Sequence, residues 1–414
     1  MVRKGLSMDG LIIGLDLNDD YTRINCAGQE KAWTFPTVIC RKKDQEVFLA
    51  GEEAYGCALE GGGVIVDKLV KMAGRDGTQT IGEVKYTGGR LLNLFIQKML
   101  EYPMKEYQTR QIAQLVVSLH RVDAKLMDTL LYCADFLGIQ RERLHVISHM
   151  ESFVYYVLSQ KKELWSNQVG LFDLSAQRLC YYEMKVQRGL KRNMVQADAE
   201  DMEEAFNLDI LDSPSGGRLA DRILCACGER VLNKKLFSSI LLTGKGFERQ
   251  DWAGEFMKLI CHRRKVFAEP AIFAKGAALK GEDYLRETTA FPYIFICQGR
   301  LKVQVSMKAV KGGREGQLVL ASYGDNWYES KTTMDLILDG QKELEFTITP
   351  LDAKKKRVVK IPLAGFPDRP PKTTRIQLSL AFLNESTMAV MVKDKGFGEL
   401  FPATDAQVRQ EVTL

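Results

Sequence analysis

Twice in this chain an apolar run of buried-strand character is stopped by an aspartate. Residues 10–17 carry Asp16 near their end, and residues 169–173 end in Asp173. Each run is followed by turn-forming residues and then by an alternation of strand-like and helix-like segments. Two acid-tipped strands, each heading its own alternation, predict an α/β unit made of two similar halves. After Asp173 come Ser175, Ala176 and Gln177. A loop that cradles phosphate with its backbone N–H groups needs glycines there, because only a residue without Cβ lets the main chain come close enough.

The first half reads as a strand over 10–17, a turn at Asn18-Asp19-Asp20 and a returning strand over 23–26. Extended segments follow over 31–41 and 47–50, where Pro36 argues against helix. Apolar spacing predicts a helix over 91–102 that stops at Pro103, a strand over 114–119 and a helix over 123–137 closed by Gly138. A short strand at 146–147 leads into a helix over 150–160. In the second half, 169–173 and 179–187 read as a hairpin, 217–235 as a helix and 240–243 as a buried strand. A helix over 253–262, an extended 264–267 and a small-residue helix over 270–280 complete it.

From Phe291 the period changes from helical to two. Eight short segments (293–297, 301–309, 317–322, 333–338, 343–350, 357–362, 374–382 and 387–393) alternate or are β-branched, with turn signals between them. That spacing predicts an all-β sandwich. The expected domains are therefore 1–283, with halves of about 1–160 and 165–283, and 291–414, joined through 281–290.

Composition narrows the function classes. An apolar fraction of 45% with 27% charged residues describes a globular chain of 414 residues, not a disordered one. A net charge of +5 argues against an obligate nucleic-acid partner. The apolar run at 11–15 is too short for a signal peptide, and nothing nears the roughly 20 apolar residues of a membrane span. Nine scattered cysteines and four histidines show no ligand spacing, the pattern expected of a cytoplasmic protein.

Several patches stand in an order that resembles the actin-like ATPase superfamily, and within it a divergent bacterial branch near the heat-shock chaperones of the seventy-kilodalton class. Ile12-Ile-Gly14-Leu-Asp16-Leu17 is similar to that family's first phosphate strand, and residues 169–173 to its second. Residues 146–158 resemble the segment carrying its catalytic Glu. Ile240-Leu-Leu-Thr-Gly244-Lys-Gly246-Phe looks like the adenosine motif, and Pro270-Ala-Ile-Phe-Ala-Lys-Gly276-Ala-Ala278 like the closing helix. Residues 365–371, 374–382 and 388–396 are similar to late strands of the chaperones' substrate-binding sandwich. The resemblance implies a duplicated, ribonuclease-H-like lobe followed by a β-sandwich. It also implies a nucleotide site around Gly14, Asp16, Asn18, Asp19, Asp173, Ser175, Gly244 and Gly246, with Asp16 and Asp173 as the candidate Mg²⁺ ligands.

The departures from that family matter more than the matches. Its first-loop Gly-Thr-Thr is replaced by Asn18-Asp19-Asp20, and two carboxylates there would repel a triphosphate. His149 stands at the position of the catalytic Glu, with Glu151 two residues on. The catalytic lysine falls at Lys68, with Lys71 competing. About 70 residues separate Asp173 from Gly244, half of what the chaperones use to build the subdomain over the adenine. The hydrophobic, Asp-flanked interdomain linker is missing from 281–292, and no helical lid is expected after the sandwich.

Each candidate also has a plain structural role. Strand-end acids cap turns, turn glycines serve turns, and a histidine can be a satisfied core residue. Cys225 and Cys227, two apart on a helix, point away from each other and suit packing better than metal. Lys354-Lys-Lys-Arg357 reads as a solvated hairpin tip. Tyr323, Trp327 and Tyr328, clustered around Gly324, are the candidate partner contact, or else fold back over the sandwich core. The expectation is a degenerate chaperone-like protein that binds another protein or peptide, not nucleic acid or membrane, with no cofactor required. The alternative is a divergent but active ATPase using ATP and Mg²⁺, with Lys68, Glu151 and Asp173 as its catalytic candidates.

Overall fold

A computed structural model describes residues 6–7, 10–43, 45–176, 178–187, 193–351 and 353–414. The chain divides into two compact units, residues 1–293 and 294–414. Among the described residues no helix is long and apolar enough to cross a membrane.

The first unit holds two sheets of the same design. In the first, β1 (Gly10–Leu17), β2 (Tyr21–Cys26) and β3 (Ala32–Pro36) form an antiparallel meander, and β4 (Ile112–Leu119) and β5 (Leu144–Ser148) add parallel strands on the other side of β1. In the second, β6 (Gln168–Ser175), β7 (Arg178–Gln187) and β8 (Met194–Asp201) form the meander, and β9 (Phe237–Thr243) and β10 (Lys265–Ala268) lie parallel beyond β6. The spatial orders, β5-β4-β1-β2-β3 and β10-β9-β6-β7-β8, are therefore the same. Strands β1 and β6 are central in their sheets and almost wholly buried, which explains their continuous apolar runs.

Helices fill the crossovers: α1 (Gly88–Glu106) and α2 (Ala124–Leu137) in the first half, α3 (His149–Ser159) after β5, α4 (Pro214–Leu232) and α5 (Gly254–Cys261) in the second half, and α6 (Ile272–Tyr284) after β10. The caps are conventional. The Asp123 carboxylate accepts the Leu126 N–H at 2.8 Å, and Gly138 closes α2 at φ 67°. Pro103 does not end α1 as expected; the helix runs through it to Glu106, with Pro103 buried in the last turn. Pro103 has no N–H for the Met99 carbonyl one turn before it, so α1 gives up one backbone bond there while its buried face, Pro103 included, stays packed.

Helix α6 belongs to the second half in sequence, yet it packs on β1, β4 and β2 of the first sheet and on α3. Helix α3 in turn reaches β8 of the second sheet. Bare backbone makes these contacts. A Cβ on Gly14 would lie 2.0 Å from the Ala274 carbonyl oxygen, and one on Gly276 would lie 1.9 Å from that of Ser152. The small residues of 270–280 thus let one helix lie directly on a strand and on another helix.

The second unit is a pair of four-stranded antiparallel sheets. Strands β11 (Val303–Lys311), β12 (Arg314–Ala321), β14 (Glu343–Pro350) and β15 (Arg357–Pro362) pair in the order β12-β11-β14-β15. Strands β13 (Thr332–Leu338), β16 (Thr374–Asn384), β17 (Thr387–Asp394) and β18 (Gln407–Thr413) pair in the order β13-β16-β17-β18. Inward residues of both, among them Val305, Phe346, Ile348, Ile376, Leu378 and Val390, make one core. Neither β18 nor β8 is foreseen by the sequence reading, since both are half-polar edge-like segments.

A buried ion pair anchors this unit. Arg369 holds both Asp394 oxygens, at 2.9 and 2.8 Å, and the N–H groups of Gly396 and Thr404 and the Thr404 hydroxyl also donate to them. Burial raises the Asp394 carboxyl, but these donors outweigh it and hold the group down to about 2. The folded pKa lies below the unfolded one, so the stabilisation is full above pH 4 and is lost as pH falls through 2. It amounts to about 2 kcal/mol. With Trp33, Trp165 and Trp252 replaced by Phe, the urea midpoint of Trp327 fluorescence should fall over that window. An Asp394→Asn chain should show no such slope.

Candidate functional site

The ends of β1 and β6 place Asp16 and Asp173 in the first unit, both wholly buried. A buried carboxylate needs a partner, and each has one built in. His149, the first residue of α3, bonds Asp16 Oδ1 through Nε2 at 2.8 Å. Its ring stacks on Phe273 with centroids 3.9 Å apart. Asp173 Oδ2 accepts from the Arg178 guanidinium at 2.8 Å, and Oδ1 from the Ser175 hydroxyl at 3.0 Å.

A second arginine faces the same acids. Arg23 stands opposite Asp16 in the β1–β2 ladder, so the two side chains share a face. Its side chain is 1% exposed, lies over the Tyr21 ring at 4.0 Å and reaches Glu248 at 3.4 Å. Burial lowers its charge preference, but Tyr21, Asp16, Asp173 and Glu248 more than restore it. Burial, reinforced by Asp173 and Asp16, pushes the Tyr21 phenol well up and keeps it neutral. Asp16 Oδ2, His149 Nδ1, Arg178 Nε, and Nε and Nη1 of Arg23 are buried without a hydrogen-bond partner. The arrangement is two buried acids against two arginines, sealed by aromatic rings.

The remaining site residues serve the chain's own packing. Asn18 Oδ1 accepts from the Asp20 and Tyr21 N–H groups, a self-contained turn. Asp19 Oδ1 accepts from the Val70 and Lys71 N–H groups and caps the helix Leu69–Gly74. Lys68 bonds Asp20 at 2.7 Å. Glu151 is buried in the first turn of α3, with its N–H on the Ser148 hydroxyl. Gly14 faces α6. A Cβ on Gly244 would lie 2.4 Å from the Leu174 carbonyl oxygen and 2.8 Å from Asp173 Oδ1, and one on Gly246 would lie 2.4 Å from the Leu174 side chain. Both glycines therefore close on the protein interior. Gln177 lies outside the described residues.

In the second unit Trp327 sits in the sandwich core and Tyr328 packs against it, while the Tyr323 hydroxyl donates to the Pro350 carbonyl at 3.2 Å. Trp327 and Tyr328 take the fold-back position that the sequence offered as one of two, and Tyr323 is tied to β14 through its hydroxyl. In the connection between β17 and β18, by contrast, Leu400 and Phe397 are exposed. Cys225 is half-buried and Cys227 buried in α4, and all nine cysteines are free.

Tyr21, Arg23, Arg178 and Phe273 were not singled out from the sequence. The available signals were weak: an arginine at an inward position of a strand, and another five residues beyond an acid tip.

Residues 20–298 match the model of a family of unknown function, DUF5716, C-terminal region. Residues 300–414 match a domain of unknown function, DUF8552. No curated protein matches the chain.

Proposed function

The chain belongs to the DUF5716 family of unknown function, and from that premise we propose that its first unit is an actin-like, ribonuclease-H-like duplicated lobe retired from ATP hydrolysis and kept for binding. The repeated strand order of the two sheets supports the lobe reading, as do the acid tips at the same point of each repeat. The observation that carries the retirement is charge balance. Asp16 and Asp173 would be the Mg²⁺ ligands, yet His149, Arg23 and Arg178 already occupy their surroundings. A divalent cation brought among those arginines meets like charge in a low-dielectric site. The residues present do not fit Mg-ATP.

What remains is binding of a protein or peptide, without nucleic acid or membrane. The sandwich unit and the exposed Phe397 and Leu400 support this reading, since protruding apolar side chains suit a protein contact. The sequence pattern of nine scattered cysteines without a pairing framework supports a reducing, cytoplasmic setting. Isothermal titration with Mg-ATP is expected to show no binding tighter than about millimolar. A micromolar complex with turnover would return the chain to the ATPases.

A further inference from the structure

Beside the two acid tips lies a second cluster that the proposed function does not use. Cys180 on β7 and Asp201 on β8 are directly opposed in an antiparallel ladder, so their side chains share one face about 5 Å apart at Cβ. His120, in the segment that follows β4, reaches them from the first half. One ligand atom from each of the three lies within 4.8 Å of the others. His120 Nε2 stands 3.2 Å from Asp201 Oδ1. His120 Nδ1 is 3.2 Å from the Tyr182 hydroxyl, a contact that fixes the ring and leaves Nε2 facing Asp201, which is exposed. Cys180 is wholly buried and His120 half-buried.

The geometry points to a site for a zinc-type divalent cation, held by His120 Nε2, Cys180 Sγ and an oxygen of Asp201. The donor set is the one that borderline metals favour: one imidazole nitrogen, one sulfur and one carboxylate oxygen. A ring whose other nitrogen is held by a neighbouring group is the usual support of a metal-ligating histidine. Thiolate and carboxylate together neutralise the ion's two charges. Three protein ligands leave a fourth position for water or a partner's side chain.

The charges facing the cluster set the affinity. Arg121 holds Asp201 Oδ2 at 2.6 Å, but its side chain is 71% exposed and can turn into solvent, leaving Oδ1 to the metal. Arg178 also faces His120, but its charge is matched by Asp173. Two nearby arginines weaken a cation site, so binding on the order of micromolar is expected rather than the far tighter binding of four-ligand structural zinc. The ligands come from both halves of the first unit, so the ion clips one half to the other.

The test uses the full chain, stripped with chelator and then titrated with Co²⁺. Wild type should develop a near-ultraviolet thiolate-to-cobalt charge-transfer band at one ion per chain, and Zn²⁺ should abolish it. His120→Ala and Asp201→Asn should each weaken Zn²⁺ at least tenfold, measured by competition with a chromophoric chelator. Cys180→Ser should lose the band, and Cys261→Ser, an exposed thiol elsewhere, should keep it. Because Cys180 is wholly buried and its variant could misfold, His120→Ala, at a half-buried residue, carries the decision. If the band is absent from wild type, or if His120→Ala binds as tightly as wild type, the site does not exist.

Discussion

Gly276→Val is expected to leave no folded first unit, the largest effect of any single change described. The added Cβ would stand 1.9 Å from the Ser152 carbonyl oxygen and 2.6 Å from its carbon. Both are backbone atoms, so no side-chain rotation relieves the overlap, and carbon contacts need about 3.5 Å. Helix α6 must therefore lift off α3. It cannot do so by itself, because its Ala274 carbonyl rests on Gly14 of β1. The loss should exceed about 4 kcal/mol, in the extreme tail of point substitutions. Soluble yield and near-ultraviolet circular dichroism should both collapse. Gly254→Ala, where a Cβ meets nothing within 4 Å, should match wild type in the same assays. A valine chain melting alongside wild type would show that α6 does not lie where described.

Arg178→Ala should be the second most damaging change. Asp173 is wholly buried, and its Oδ2 faces that guanidinium at 2.8 Å. Without it the carboxylate keeps the Ser175 hydroxyl and the more distant charge of Arg23. Breaking a buried pair by removing one partner costs about 3–5 kcal/mol, chiefly as an uncompensated charge. For a unit of this size the melting temperature should fall by on the order of 10 °C. Arg178→Lys should recover part of the loss. If the guanidinium stands in for a metal ion, millimolar Mg²⁺ should raise the melting temperature of Arg178→Ala and leave wild type unmoved. A variant as stable as wild type, with or without Mg²⁺, would remove the charge-balance argument.

How far the sequence went follows from what each signal measures. Apolar runs report burial, so β1, β6, β9 and the sandwich strands other than β18 were legible, as was the restart of the pattern at Asp173. Half-polar strands such as β8 and β18 carry little such signal. Pro103 misled because a proline costs a helix one bond to the carbonyl a turn before it, which a well-packed helix such as α1 sustains. The acids were legible as acids, but Arg23 and Arg178 were not legible as their partners. That pairing lies across a ladder and around a turn, and residue spacing does not encode it. Gly14, Gly244 and Gly246 stand where a neighbouring body approaches closely, although the sequence offered them as parts of a nucleotide site and the last two equally as turn glycines. The approaching body is the chain's own main chain and Leu174 rather than a ligand.

The last helix of the second half roofs the first sheet, and the last helix of the first half touches the second. Neither half is therefore a fragment that could be expressed by itself. Cut between Lys161 and Asn167, the chain should give two insoluble pieces, each with an apolar sheet face laid bare. Mixed during refolding, they should restore one another, because each carries the other's missing cover.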